Sequence, residues 1–513
     1  GTAMGMFLLR RFFSSVVILF GATYIMYILT AYSGDPLEDL TQSTARNKEE
    51  LIARRIEILD LNVPPYLRYF LWLGGVLKLF IGQIDLGQNI NGLEVTDLLA
   101  AAAVSTLTLV TTASILSIFL GVMVGIVTAL RQYSRFDYTV TFTAFLFFSL
   151  PVFWVAVLLK QYGAIGFNDF LADPQIPPIT LAVISLVSGF IWMGIVGGDR
   201  KKNLTVFGVA TAVTAATLIT LLLTNWFKEP GIGMFTGLLL GVGAAFGVTT
   251  ISTGLSNTRA RNASLVVVGI GMIVWIPFNL ISMSISGALF LLLAVITVLV
   301  GIAVGWFMGG EDKAPVARTS AITAFVMGGI IAIDRFMQAW KPYTDSSYIS
   351  GRPIATIGSE TPNLTGSFWV EGIDAFTHLL LPTVALLLIG FAGYTRYARA
   401  SLLEVLNQDY IRTARAKGLT ERTVVMRHAF RNALIPMTTL VAFDFAAVIG
   451  GAVITERVFA WSGMGNLFIS SLARVDLNPV MGFFLITGTL AIFFNIVADL
   501  VYTLLDPRIR VNA

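Results

Sequence analysis

Side chains able to do chemistry crowd into one stretch of this chain. Ser401–Pro436 reads SLLEVLNQDYIRTARAKGLTERTVVMRHAFRNALIP and carries Tyr410, Arg412, Arg415, Lys417, Glu421, Arg422, Arg427, His428 and Arg431. Guanidinium and ammonium groups at this density suit recognition of a protein face or an anionic surface. A first helical run through Ala414–Lys417 is predicted to end at Gly418, a residue suited to a helix C-terminus or a tight turn. Leu419 follows, and a second basic helix is predicted over Glu421–Asn432. Small Ala414 and Ala416 leave room for another surface to approach closely. Covalent chemistry has no comparable cluster. The chain lacks cysteine, so disulfides, thiol catalysis and Cys-based metal sites are excluded, and its two histidines, His378 and His428, lie far apart. No catalytic constellation and no Gly-Lys-Ser/Thr phosphate loop occurs, so no cofactor is expected on this chain. Docking, not catalysis, is the expectation.

The elements that must hold this platform are membrane helices. The chain is 56% hydrophobic and 12% charged, and it contains many apolar runs of about 20 residues, the length that spans a bilayer as a helix. The predicted class is therefore all-α and polytopic. Candidate spans are Phe7–Tyr32, Val104–Leu130, Tyr138–Leu159, Thr180–Gly197, Leu204–Trp226, Met234–Gly254, Ser264–Ile285, Gly287–Met308, Ala321–Trp340, Phe376–Tyr394, Leu434–Ile454 and Gly482–Leu505. Gly1-Thr2-Ala3 before Met4 reads as a tag remnant, and the first run reads as a retained helix. Lys and Arg set the direction. The loops GGDRKKN, SNTRARN and EDKAPVART alternate with loops that carry only Lys228, which puts the platform and both termini on the cytoplasmic side. The net charge of +4 lies near membrane surfaces and gives no indication of nucleic acid.

Between the spans, residues 34–100 are polar and predicted to form a small amphipathic helical cap outside the membrane, with helices in NKEELIARRIEIL and PPYLRYFLWLGGVLKLF. Residues 340–371 read as an outside linker. Asp334-Arg335, near the outer end of its span, reads as an interfacial anchor. Charge-free runs in the middle of the chain carry glycines four apart, Gly237/Gly241, Gly243/Gly247, Gly301/Gly305 and Gly305/Gly309, a spacing that lets helices pack closely. Asp444 lies inside its predicted span, where a carboxylate either lines a watery cavity or hydrogen-bonds a neighbouring helix. Asn495 and Asp499 share one face of the last span, open to the same two readings.

Motifs at both ends carry a resemblance. The N-terminal part contains SGDP at 33–36, YLRYFLWLGG at 66–75, DLGQNI at 85–90, STLTL at 105–109 and SLPVFW at 149–154. The C-terminal part contains HLLLPTVAL, RASLLEVLNQDYIRTARAKGL, RHAFRNALIP, GGAVITERVFAWSGMGNL and DLVYTLLDPRIR. In this order they resemble the dipeptide/oligopeptide permease family, membrane subunits of ATP-binding-cassette importers that use a binding protein. The resemblance implies a six-helix permease core made of residues 4–160 and 372–513, interrupted by about six inserted helices within 161–371. An even number of inserted spans keeps the platform on its cytoplasmic face.

The resemblance also implies that 401–436 is the coupling segment that enters a cleft on an ATPase subunit. The Glu-Ala-Ala wording of the wider motif is replaced by Arg412-Thr413-Ala414, as the peptide-permease branch reads. The implied partners are a second homologous permease subunit, two ATPase subunits or domains carrying ATP and Mg, an extracytoplasmic binding protein, a peptide and membrane lipid. Glu456, Arg457, Trp461 and Arg474, predicted outside, are then contacts for the binding protein or a gate; the alternative is an ordinary interfacial loop. The inserted helices read as an accessory bundle. Two other functions compete: an ion-coupled secondary transporter with twelve spans, which the absence of similar halves disfavours, and an importer of the same class for a nickel chelate, glutathione or an oligosaccharide.

Overall fold

The structure, a computed structural model, describes residues 2–429, 432–433, 437, 441 and 452–505, with the side chains of 422, 426, 427 and 501–505 outside that description. Among the described residues the chain is helical, without a strand. Ten helices are long and apolar enough to cross a membrane, and a bent pair adds an eleventh if counted as one span. The remaining expected span, Leu434–Ile454, falls almost wholly outside the described residues.

The bent pair corrects the straight span expected over Tyr138–Leu159. Helix Arg135–Ser149 stops, and the chain turns by 102° before continuing as Val152–Ala172. Pro151 is the cause. Leu150, the residue before it, is extended at φ −78°, ψ 138°, because the proline ring crowds a helical residue at that position. Pro151 at φ −63° then caps the next helix, where its missing N–H costs nothing.

The chain divides into two compact units. The first comprises Gly1–Tyr162, Thr356–Ser359 and Leu379–Ala513. Here the first helix, Thr2–Ala31, packs along the last, Leu477–Leu505. The helices expected outside the membrane form at Lys48–Leu59 and Pro65–Leu77. Tyr69 and Trp72 of the second join Tyr27, Val95, Leu99, Leu477 and Met481 in one apolar cluster. The DLGQNI stretch docks on the start of the last helix: Ile90 N donates to Asp476 Oδ2 (3.2 Å) and Asn478 Nδ2 donates to the Gln88 carbonyl (2.7 Å).

Asp476 supplies a pH test of that dock. It is 4% exposed, and burial pushes its carboxyl up from the ordinary aspartate value to about 6, against the pull of Ile90 N–H, Arg55 and Arg474. The folded state therefore holds the proton more tightly than the unfolded chain. Its contribution is complete below about pH 4 and is lost as pH rises through about 6, amounting to at most about 3 kcal/mol. Thermal melts of the wild type should fall across this window, and those of Asp476→Asn should stay flat. Parallel profiles would refute the assignment.

The second unit comprises Gly163–Ala355 and Glu360–His378. Four helices, Gly233–Ser252, Thr258–Ile281, Gly287–Met308 and Lys313–Gln338, pack on one another. Glycine sets some of these contacts. A Cβ on Gly301 would lie 2.6 Å from Ala324 Cβ, and one on Gly305 would strike Ser320 and Ala317. The Ser320 hydroxyl also donates to the Gly301 carbonyl at 2.6 Å. Gly237 and Gly241 similarly face Trp275 and Met327, whereas Gly243 and Gly247 meet nothing. Pro178–Val196 and Arg200–Leu223 form a further pair, joined by a Ser188–Thr214 hydroxyl bond of 2.7 Å. No residue of Arg200–Leu223 is buried, which suits a helix whose outer surface is solvated by lipid.

Two expectations change here. Residues 343–354 are folded, not a linker: Tyr343 and Ile349 are buried with Trp369 and Ile373, and the Tyr343 hydroxyl donates to the Pro353 carbonyl (3.0 Å). Asp334 and Arg335 are buried at 2% and 7% exposure, so neither is an interfacial anchor. Asp334 Oδ1 accepts from Ile232 N and Gly233 N, 2.9 and 3.2 Å, at the start of Gly233–Ser252, where a carboxylate is favoured by the helix dipole.

Candidate functional site: the charged platform and its anchors

The helix leading into the platform is Phe368–Leu406. Gln408 is extended at φ −78°, ψ 153°, which starts a separate short helix, Asp409–Ala416. Its apolar residues face inward. Ile411 and Ala414 pack with Ala129, Leu402, Val424, Ala429 and Ala433. Ala414 is thus taken up by the protein's own core and does not serve the close approach expected of it; Ala416 is exposed. After Lys417 the chain turns at Gly418, φ +77°, a conformation available to glycine without strain. Thr420 then caps the next turn, accepting from Thr423 N at 3.2 Å. Glu421–Thr423 continues as a wide helical turn over Val424–Ala429, and Asn432, where the second helix was expected to end, is helical as well.

What faces out is mixed. Tyr410 and Leu419 are 42% and 39% exposed, among exposed Arg412, Arg415, Lys417 and Glu421. Arg415 Nη2 lies 3.1 Å from Glu421 Oε1, closing the turn across Gly418, and Arg412 lies 3.8 Å from Asp409. Both pairs are solvent-exposed and stabilise little. Their charges stay available to a partner. His428 is half-buried, and its carbonyl accepts from Asn432 Nδ2 at 2.6 Å. Arg431 and Asp444, and the side chains of Arg422 and Arg427, lie outside the described residues.

Sequence reasoning missed the anchor above the platform. Arg399 donates to both oxygens of Asp137, Nε to Oδ1 at 2.7 Å and Nη2 to Oδ2 at 2.8 Å. The Asp137 side chain is 2% exposed. Two planar bonds of this kind fix orientation as well as distance, so the start of Arg135–Ser149 and the helix carrying the platform are tied at one point. Ser134-x-x-Asp137 was the available signal. Ser134 Oγ accepts from Asp137 N (3.1 Å) as the helix cap, and Asp137 reaches back past it to accept from Tyr133 N (3.0 Å). Arg396, one turn earlier, lies 4.2 Å over the Phe145 ring.

Elsewhere in the same unit, Glu456 and Trp461, expected as binding-protein contacts or a gate, are not surface contacts. Glu456 is fully buried and Trp461 is 2% exposed. Glu456 accepts from Thr106 Oγ1 (2.7 Å), Gly465 N (2.6 Å) and Asn466 N (3.2 Å). Trp461 Nε1 donates to the Ser105 carbonyl at 3.0 Å. Three bonds thus fasten residues 453–466 to the helix Val95–Leu130, from Thr106 to Glu456, from Trp461 to Ser105 and from Met464 N to Thr106 Oγ1 (2.7 Å), while the Gly465 and Asn466 bonds fold the segment on itself. Arg457 and Arg474 are exposed, with Arg457 within 3.3 Å of Ser470 Oγ. Asp499 pairs with Arg11 at 2.8 Å, which ties the last helix to the first and favours helix–helix bonding; Asn495 is half-buried.

Comparison with known proteins follows this geometry. The sequence model described as "Binding-protein-dependent transport system inner membrane component" matches residues 237–511, just over half of the chain. The oligopeptide transport system permease protein OppB of Mycobacterium tuberculosis is 41% identical over 155 residues, 30% of this chain and 48% of that protein. The dipeptide transport system permease protein DppB of Escherichia coli K12 is 44% identical over 172 residues, 32% of this chain and 51% of that protein. This chain therefore spans about half the length of these curated relatives. The oligopeptide permease AppB of Bacillus subtilis aligns over 510 residues, 99% of this chain and 100% of its own length, at 24% identity. With ten apolar helices among the described residues and the family match over residues 237–511, this multi-pass chain belongs to the binding-protein-dependent transport system inner membrane components.

Proposed function

We propose that this chain is the transmembrane permease subunit of an ATP-driven importer of di- or oligopeptides, forming half of the translocation pathway and docking an ATPase subunit through 401–436. The observation that carries the reading is the platform: a short helix pinned by Ile411 and Ala414, a left-handed turn at Gly418, and exposed Tyr410 and Leu419 among basic side chains. An apolar centre ringed by charge is the composition of a protein-binding face. Peptide as the cargo rests on the relatives, which are permeases of oligopeptide and dipeptide transport systems.

In this reading ATP and Mg belong to two ATPase partners, a second permease subunit completes the pathway, and a binding protein delivers peptide from outside. Exposed Arg457 and Arg474 remain candidate contacts for that protein, and residues 161–371 are an accessory membrane region. The ion-coupled carrier is disfavoured by the platform, which such a carrier does not require. Purifying the tagged chain with its membrane partners intact tests the proposal: ATPase subunits and a binding protein carrying peptide should co-purify. Proton- or sodium-driven uptake by the isolated chain would overturn it.

A further inference from the structure

The second unit holds a cavity of about 570 Å³, at the end of the bundle where Thr258–Ile281 gives way to Gly287–Met308. Among the residues lining it, Arg335 alone is charged. Its direct partners are neutral. Nε donates to Ser282 Oγ at 2.7 Å, Nη2 lies 2.9 Å from Met283 Sδ, and the guanidinium sits 5.4 Å over the Trp369 ring. Asp334 is adjacent in sequence, but its oxygens are engaged by Ile232 N, Gly233 N and Gln338 Nε2. A cation 7% exposed without a hydrogen-bonded anion is costly, and an arriving oxyanion relieves that cost.

A second observation concerns the same wall. Asn279, which also lines the cavity, buries an amide oxygen that has no hydrogen-bond partner. Turning the amide over places its NH2 there as a further donor beside Arg335. Met283, Leu364 and Val370 supply apolar lining. Beside it, Leu280 is 78% exposed, as a lipid-facing side chain is. The site is thus a buried guanidinium with an apolar wall at one end of a membrane bundle, opposite the basic cytoplasmic loops.

We propose that this cavity binds a phosphate oxyanion on Arg335, a role separate from peptide passage. The guanidinium fork matches phosphate oxygens in two-bond geometry, and the volume accommodates a headgroup-sized ligand. Such a phosphate comes either from a phospholipid headgroup or from solution.

Two probes distinguish the sources on the full-length protein: native mass spectrometry after exchange into phosphatidylglycerol micelles, and thermal melts with inorganic phosphate after delipidation. A lipid ligand would survive as a bound phosphatidylglycerol and leave the melts unmoved by phosphate; a soluble ligand would give the reverse. Arg335→Gln should weaken the active probe by about tenfold or more, the loss of a charge-assisted pair. Should that variant not fold, Thr365→Trp decides: Thr365 is exposed on the cavity wall, so the indole fills the space and leaves Arg335 in place. Binding by neither probe, or wild-type binding in either folded variant, would overturn the site.

Discussion

On the proposed coupling role, Gly418→Pro combined with Arg422→Glu should abolish ATP-driven uptake while leaving the chain in the membrane. Proline fixes φ near −65°, and Gly418 sits at +77°, so the turn between the platform's two helices cannot form as it stands. The Gly418 N–H bond to the Arg415 carbonyl, 3.1 Å, is lost as well. Distorting such a turn costs about 3 kcal/mol, which corresponds to about a hundredfold in docking affinity. Added Cβ bulk does not account for this, because a Cβ on Gly418 meets nothing within 4 Å. Gly418→Ala is therefore the calibrating variant, with backbone strain of about 1 kcal/mol and no clash. The measurement is peptide uptake beside ATP hydrolysis in proteoliposomes of the whole transporter. Uptake at the wild-type level in the double variant would remove 401–436 as the coupling segment.

Chain-local features were legible in the sequence, and contacts between distant segments were not. Apolar runs marked the ten described spans because lipid demands continuous hydrocarbon, and Gly418 marked its turn through its freedom in φ. SLPVF at 149–153 contained the break as well, but its hydrophobicity outweighed Pro151 in the reading of a single span. Asp137 and Arg399 are 262 positions apart, and nothing local to either names the other. Glu456 was misread because a carboxylate in a loop is ordinarily solvated. The glycines of WSGMGN at 461–466 held the missing information. A Cβ on Gly463 or Gly465 would strike the Glu456 carboxylate, so these positions are small because an acid is packed behind them. The same argument separates Ala414, buried against Ala129, Leu402 and Val424, from exposed Ala416.

Glu456→Ala should be the most destabilising single change in residues 453–466. Removing the carboxylate leaves Gly465 N, Asn466 N and the Thr106 hydroxyl without their acceptor, in a site where the side chain is fully buried. Each orphaned donor costs about 1–3 kcal/mol, and partial rehydration of the vacated space brings the expected total to about 3–5 kcal/mol. Glu456→Gln separates geometry from charge: its single carbonyl oxygen keeps one acceptor, and its NH2 confronts donors, so it should recover only part of the loss. Thr106 reinforces the effect because its Oγ1 also accepts from Met464 N at 2.7 Å; once its own acceptor is gone, the hydroxyl is free to rotate. Thermal unfolding in detergent measures the loss, and proteolysis within 453–466 localises it. A Glu456→Ala chain with wild-type melting and unchanged protection there would mean that the carboxylate does not hold this segment to the helix Val95–Leu130. If melting falls and proteolysis within 453–466 rises with it, Glu456 is a structural latch.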